Sequence, residues 1–261
     1  MIEGLAELSS ISQDVLWKGF LVFVRVGAMM ALLPAFGEQS VPARVKLGLA
    51  LAFTAIVAPA VPDPSPNPEA ALEALQTIGF FLAETLTGLF FGLMLRLFVF
   101  ALQIAGSIAA QSTSLSQLFG GAGGDPLPAM GHVLVIGGLA LATIMGLHVR
   151  IAEFMINSYD LVPIGNVIPS DVLTPAGIAE ISRAFALGFT LAAPFVISSL
   201  IYNVTLGVIN KAMPQLMVAF VGAPAITAGG LVLLMLAAPL MLSIWVEAMG
   251  AFMLDPFRGT R

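Results

Sequence analysis

Residues 75–100 read LQTIGFFLAETLTGLFFGLMLRLFVF, with only two charges, Glu84 and Arg96. An α-helix rises about 1.5 Å per residue, so about 20 apolar residues cross the hydrocarbon core of a membrane. A charge at the centre of the bilayer costs about 2.5–3.5 kcal/mol, however. We therefore predict a membrane helix whose charged side chains face protein or water rather than lipid.

Five further apolar segments continue this pattern in both directions along the chain. They cover Val15–Leu33, Leu47–Val61, Ala129–Val149, Ala184–Ile209 and Ala228–Leu254. The chain is 59% hydrophobic and 10% charged, whereas a soluble domain is about 25% charged. The sequence predicts an all-α integral membrane protein with about six long hydrophobic helices. We expect one membrane domain over residues 1–261, with successive parts at about 15–128, 129–183 and 184–261.

The connections between these segments differ in composition. Val61–Pro68 is rich in proline and reads as a break. Gln103–Pro128 is rich in Gln, Ser and Gly, and Asn157–Glu180 reads as an aqueous loop because it combines acidic residues with prolines.

Small residues at a spacing of four predict close helix packing within the membrane. Gly88 and Gly92 form one such pair, and Gly138, Ala142 and Gly146 form a longer series. Small residues at this spacing let two helix backbones approach each other. Pro194 and Pro239 are expected to break the last two helices.

Several classes of chemistry are disfavoured by the composition. The net charge of −5 argues against a nucleic-acid partner, and the chain has no Cys. His132 and His148 lie sixteen residues apart on one predicted helix, too far apart to share a metal ion. The run Gly120–Gly124 lacks the GK[ST] sequence of a phosphate loop. We expect no cofactor, no metal site and no enzymatic activity.

Four charges inside apolar segments are candidate functional residues: Arg25, Glu84, Arg96 and Glu247. Ionisable residues within a membrane are often part of a proton or ion pathway. The alternative is that they form buried ion pairs that fix helix packing. Glu84 and Arg96, twelve residues apart, share a helix face but cannot touch each other.

The neutral polar stretch after the third segment is the most informative feature for function. Gln103, Ser107 and Gln111 share a face if this stretch is helical. A neutral polar segment at membrane depth is tolerated only where it is buried in protein or lines a water-filled cavity. It is therefore either an ordinary loop in water or an element that lines or closes a pore.

Three blocks of the sequence carry a family resemblance. The first combines RVGAMM at 25–30, LPAFG at 33–37 and VPARVKLGLA at 41–50, and closes at Ala58-Pro59. The second combines Gly146-Leu147-His148 with LVPIG at 161–165, and the third combines LGVINKAMPQL at 206–216 with VGAP at 221–224. These blocks resemble the FliR family of flagellar biosynthesis proteins, which is related to the SctT subunits of virulence type III secretion.

The resemblance implies a non-enzymatic subunit of an inner-membrane export gate in the flagellar basal body. Such a subunit resembles a fusion of the helical hairpins of FliP-like and FliQ-like membrane subunits. It joins them, together with an FlhB-like subunit, in a hetero-oligomeric gate that passes unfolded proteins. The resemblance also implies a plug at about Gly106–Gly124, although this chain lacks the family's usual Met-Gly-Leu-Ser run there. The implied plug residues are Gly106, Gln111, Ser112, Thr113, Ser114, Leu115, Ser116, Gln117, Phe119, Gly120 and Gly121. The implied packing residues are Pro42, Lys46, Pro214 and Gln215.

Other functions remain open at the level of sequence. A virulence export-gate subunit would share the same resemblance. A stand-alone transporter or channel should show internal repeats with matching broken helices, and no convincing repeat is visible between the two halves. A purely structural scaffold would leave the polar stretch as an inert loop.

Overall fold

The computed structural model describes residues 2–62, 73–113, 128–213 and 218–257, and within these ranges it contains α-helices and no strand. The all-α prediction is therefore confirmed. The helices are α1 (Ile2–Met30), α2 (Ala43–Val57) with a 3-10 turn at Ala58–Ala60, α3 (Glu73–Thr113), α4 (Ala129–Ile144), α5 (Leu147–Leu161), α6 (Ser170–Ala212) and α7 (Val218–Leu254).

Four helical segments are long and apolar enough to cross a membrane. They are Ala43–Ala60, Ile78–Thr113, Ser170–Ala212 and Pro224–Leu254, and α4 with α5 forms a bent pair that would raise the number to five. The helix α1, which carries Lys18 and Arg25, is not among them. The prediction of an integral membrane protein is confirmed, while the predicted number of six spans is only approximate.

The predicted single helix at Ala129–Val149 is wrong, because it is broken between α4, which ends at Ile144, and α5, which begins at Leu147. Gly146 lies at the bend with φ of +83°, a backbone conformation that favours glycine, and a Cβ there would meet nothing within 4 Å. Gly146 therefore turns the chain and does not pack a neighbouring helix. The bend also places His132 on α4 and His148 on α5, so the two histidines do not share one helix as predicted.

Several predicted loops and breaks are helical in the structure. Helix α3 continues through Thr113, α5 ends only at Leu161, and α6 already begins at Ser170. The aqueous loop predicted at Asn157–Glu180 is therefore much shorter. Pro194 and Pro239 lie inside the continuous helices α6 and α7, so the predicted breaks are wrong. Proline is tolerated within membrane helices because neighbouring groups satisfy the freed carbonyl.

The chain divides into two compact units, each built from separate stretches of sequence. The first comprises residues 1–96, 146–179 and 252–261, and the second comprises residues 97–145 and 180–251. The units do not follow the three successive parts expected from the sequence. The single membrane domain stays a prediction.

In the first unit, the predicted glycine pair on α3 packs against α1. A Cβ on Gly88 would collide with the Arg25 carbonyl oxygen, and one on Gly92 would lie 2.9 Å from the Met29 carbonyl oxygen. The two backbones approach this closely only because neither glycine carries a side chain. This close approach fixes the position of Arg25 along the axis of α3.

In the second unit, α3 packs against α4 and α7. A Cβ on Gly106 would lie 2.7 Å from the Gly131 nitrogen of α4. Trp245 of α7 is fully buried, and its indole N–H donates to the Phe98 carbonyl oxygen of α3 at 2.6 Å. The indole hydrogen bond fixes the rotation of α7 about its own axis, because the ring can reach that carbonyl from one side only.

Candidate functional site

Two of the predicted intramembrane charges form one buried ion pair in the first unit. The Arg25 guanidinium on α1 donates to both carboxylate oxygens of Glu84 on α3, with N–O distances of 2.7 and 3.0 Å. Both side chains are fully buried. A two-pronged contact of this kind is the geometry in which a guanidinium binds a carboxylate most strongly.

The remaining donor groups of Arg25 reach the end of α5. Its Nη1 donates to the carbonyl oxygens of Val162 at 2.8 Å and Ser158 at 3.3 Å. Its Cζ lies 3.8 Å from the centroid of the Tyr159 ring, within the range of a cation–π interaction. One arginine therefore connects α1, α3 and the C-terminal end of α5.

The Glu84 carboxylate also receives a backbone hydrogen bond from the loop after α5. The N–H of Gly165 donates to Glu84 Oε1 at 2.8 Å. Gly165 has φ of +80°, and a Cβ there would collide with the Phe80 ring. Only glycine fits this position without strain. The Pro-Ile-Gly block of the family resemblance thus has a local structural reason.

The arrangement of this cluster favours packing over ion relay. The Arg25 and Glu84 charges are matched, and protein groups surround them on α1, α3, α5 and the following loop. A relay needs groups that exchange protons and a path to water, whereas an arginine does not release its proton in proteins. We interpret the cluster as the contact that holds the first unit together; the role of the predicted site residues stays a prediction.

The third predicted charge, Arg96, pairs with a residue that the sequence analysis did not single out. Arg96 Nη1 lies 2.6 Å from Glu38 Oε1, and both side chains are about one-fifth exposed. Glu38 belongs to the turn between α1 and α2. Lys46 secures the same turn by donating from Nζ to the Gly37 carbonyl oxygen at 2.9 Å, while Pro42 immediately precedes α2.

Glu247 differs from the other three charges because it is exposed on α7. It is not buried within this chain, and its burial against another subunit stays a prediction. The sequence analysis missed a buried carboxylate, Glu180 on α6, which is 3% exposed and lies 3.0 Å from Arg183. Glu180 was assigned to a loop, so its position on a buried helix face could not be seen.

The polar residues at the end of the third apolar segment lie on one helix face, as their spacing of four indicated for a helical stretch, and a role in lining or closing a pore stays a prediction. Gln103, Ser107 and Gln111 are spaced four apart on α3 and are intermediate or exposed. In the second unit, Gln103 and Ser107 line a groove of about 560 Å³ between α3 and α6. The other lining residues are almost all apolar, so these two side chains are its main polar features.

The predicted plug falls partly inside α3 and partly outside the described residues. Gly106, Gln111, Ser112 and Thr113 are helical, so their assignment to a loop is wrong. The run of Ile, Ala, Gly, Ser and Gln at 104–112 contains no proline and continues the helix. Gly106 and Thr113 are buried rather than pore-facing. Ser114, Leu115, Ser116, Gln117, Phe119, Gly120 and Gly121 lie outside the described residues, as do Pro214 and Gln215.

The part of the chain that the structure describes contains no cluster of side chains that could bind a metal ion. No group of three or more His, Asp or Glu side chains there is close enough to hold an ion. Six of the charged side chains in this part of the chain form the ion pairs Arg25–Glu84, Arg96–Glu38 and Arg183–Glu180.

The chain matches known proteins over nearly its whole length. Residues 16–252 match the family described as bacterial export proteins, family 1. The flagellar biosynthetic protein FliR of Caulobacter vibrioides is 32% identical over 87% of this chain and 90% of its own length. FliR of Aquifex aeolicus is 28% identical over 88% of each chain, and FliR of Escherichia coli is 27% identical over 85% of this chain and 84% of its own.

Proposed function

This chain belongs to the FliR family of bacterial export proteins and is a membrane component of the flagellar export apparatus, and from this premise we propose that it is a non-enzymatic subunit of the export gate. It helps to form and seal the channel through which unfolded flagellar proteins cross the inner membrane at the basal body. Its partners are FliP-like, FliQ-like and FlhB-like membrane subunits. Type III secretion by a virulence apparatus is the less favoured alternative, because the relatives named above are flagellar.

The observation that supports a conduit role is the partly exposed polar face of α3. Gln103, Ser107 and Gln111 lie near the end of a predominantly apolar segment, Ile78–Thr113, that is long enough to span a membrane. Lipid is a poor neighbour for neutral polar groups, since it cannot hydrogen-bond to them. A water-filled passage that carries polypeptide satisfies these groups without reading the sequence of the substrate.

The sealing role is assigned to the segment that follows this face. Residues 114–124 are neutral and end in glycines. Glycine lowers the barrier to rearranging the backbone, so such a segment can seal a passage at rest and give way to a substrate. This gating requires no covalent chemistry, which agrees with a subunit that is not an enzyme.

Deletion of residues 114–121 tests the seal. The deletion should begin at Ser114, because Thr113 is buried and donates to the Ala109 carbonyl oxygen at 2.9 Å. We expect the complex to assemble and the passive leak of ions across the membrane to rise several-fold. Membrane potential and flagellin secretion are measured in the same cells. A tight membrane with normal secretion would show that this segment is not a plug.

Cysteine labelling tests the conduit separately, since the chain has no Cys of its own. Gln103→Cys, Ser107→Cys and Gln111→Cys should react with a membrane-impermeant maleimide in the assembled complex. Leu93→Cys, at an exposed apolar position of the same helix, serves as the control and should react slowly. Equal reactivity at all four positions would contradict a polar conduit face on α3.

A further inference from the structure

Glu247 is the only charged residue in α7, and the structure turns it away from the protein. Trp245, two residues earlier, is fully buried and anchored to the Phe98 carbonyl oxygen. Two residues correspond to a rotation of about 200° around a helix axis. The Glu247 side chain therefore lies on the face of α7 opposite the anchored indole, where it is exposed.

The surroundings of Glu247 are mostly apolar and uncovered, and the one hydroxyl nearby, that of Ser243 one turn earlier, donates to the Leu240 carbonyl oxygen. Leu236, Leu240 and Ile244 precede it on the same face of α7 and are 69%, 66% and 38% exposed, and the exposed Ala251 follows one turn later. We call these five residues the Glu247 stripe. Glu247 lies seven residues before the end of the helix at Leu254, or about 10 Å along its axis. A short carboxylate side chain does not readily reach water across that length.

Lipid alone is a poor occupant for this stripe. The segment Pro224–Leu254 is long and apolar enough to cross a membrane, so the carboxylate lies within the apolar part of the chain. An ionised group facing hydrocarbon is strongly disfavoured unless it finds a partner, and intramembrane carboxylates usually pair with a cation. The leucines and the isoleucine before the carboxylate and the alanine after it offer no such group.

A second copy of this chain is also a poor occupant. In a symmetric dimer each stripe would face its own equivalent. The two Glu247 carboxylates would then meet near the centre of the contact, where like charges repel strongly. Charge complementarity instead calls for a different helix with a basic side chain.

We propose that the Glu247 stripe is a docking face for a membrane helix of another subunit, which presents a lysine or arginine to the Glu247 carboxylate. The leucines supply apolar contact along the helix, and the ion pair sets the axial register and the rotation of the partner. This inference deepens the proposed function, and it rests on the chain working within a membrane complex. It does not depend on the plug.

Charge reversal provides the first test. Glu247→Lys in the full chain should lower the amount of co-purified partner subunits at least about tenfold, because two cations then face each other. Glu247→Gln should cause a smaller loss. Glu153→Lys, an exposed position on α5, is the matched control and should assemble normally. Wild-type co-purification with Glu247→Lys would overturn the proposal.

A suppressor screen identifies the partner's chemistry. Second-site mutations that restore motility to Glu247→Lys should change a Lys or Arg in a membrane helix of another subunit to an acidic or neutral residue. Suppressors that fall only within this chain would overturn the proposal. The purified Glu247→Lys chain should unfold at the same temperature as the wild-type chain, since the side chain is exposed. A lower unfolding temperature would show that Glu247 packs within its own chain, and this result would also overturn the proposal.

The two proposals fail in different ways. If Glu247→Lys loses its partner subunits while the variant that lacks residues 114–121 keeps the membrane tight to ions, the plug is rejected and the docking face is retained. Normal co-purification of Glu247→Lys with a leaking deletion variant would reject the docking face and retain the plug.

Discussion

Replacing Glu84 with glutamine is expected to lower the free energy of unfolding by about 3–5 kcal/mol, because it leaves the buried Arg25 charge without its counter-ion. The substitution keeps the size of the side chain, removes its charge and replaces one of its two acceptor oxygens with an N–H donor. The effect should appear as a lower midpoint in denaturant titration of the purified chain in detergent micelles. In cells, we expect less folded protein and reduced motility.

A matched control shows how much stability is lost when a carboxylate charge is removed from an exposed position instead of a buried one. Glu153 on α5 is exposed, so Glu153→Gln should change stability by no more than about 0.5 kcal/mol. A double replacement, Arg25→Met with Glu84→Leu, removes both charges and should recover much of the lost stability, because apolar side chains of similar volume often replace a buried pair well.

The same variants decide between the two interpretations of these charges. If the pair serves packing, the double replacement restores export along with stability. A Glu84→Gln chain that folds normally but does not export would instead point to a role in transport. That result would contradict the packing interpretation.

Replacing Gly106 with alanine is expected to cost about 1–3 kcal/mol, as overpacking in a close-packed core typically does. The new Cβ would meet the backbone of Gly131 rather than the end of a flexible side chain. Helices α3 and α4 would have to separate, since a backbone cannot move aside locally. Thermal unfolding of the purified chain should show the loss.

Gly79→Ala is the control for the Gly106 variant because it lies on the same helix in open space. Gly79 is exposed and a Cβ there would meet nothing within 4 Å. Alanine is a better helix former than glycine by about 1 kcal/mol, so this change should be neutral or stabilising. If both variants behaved alike, helix propensity rather than close packing would govern the result at Gly106.

Helix content and membrane character followed from composition and from the length of apolar runs. These properties are local: about 20 apolar residues without strong breaks predict a membrane helix wherever they occur. The Gly88–Gly92 pair was likewise predicted from its spacing, and the structure places both glycines against α1. The family resemblance was recognised from blocks of sequence for the same reason, since each block is short and continuous.

Helix ends were harder to predict than helix cores. Prolines at 163, 169 and 175 suggested one long loop, yet only residues 162–169 separate α5 from α6. The helix break at Gly146 had no sequence signal beyond a glycine that also fitted a packing motif. A single residue can serve either purpose, and its surroundings decide which.

The sequence by itself determined that this protein is an apolar, helical member of its family, and that the few charges within its apolar segments should face protein or water. Only the tertiary structure decided how each charge is treated: Arg25 meets Glu84 across 59 positions of sequence, Arg96 meets Glu38, and Glu247 stays exposed. The physical reason is that pairing depends on which helix faces are brought together. That arrangement comes from close packing at glycines and from anchors such as Trp245, and not from the charges alone.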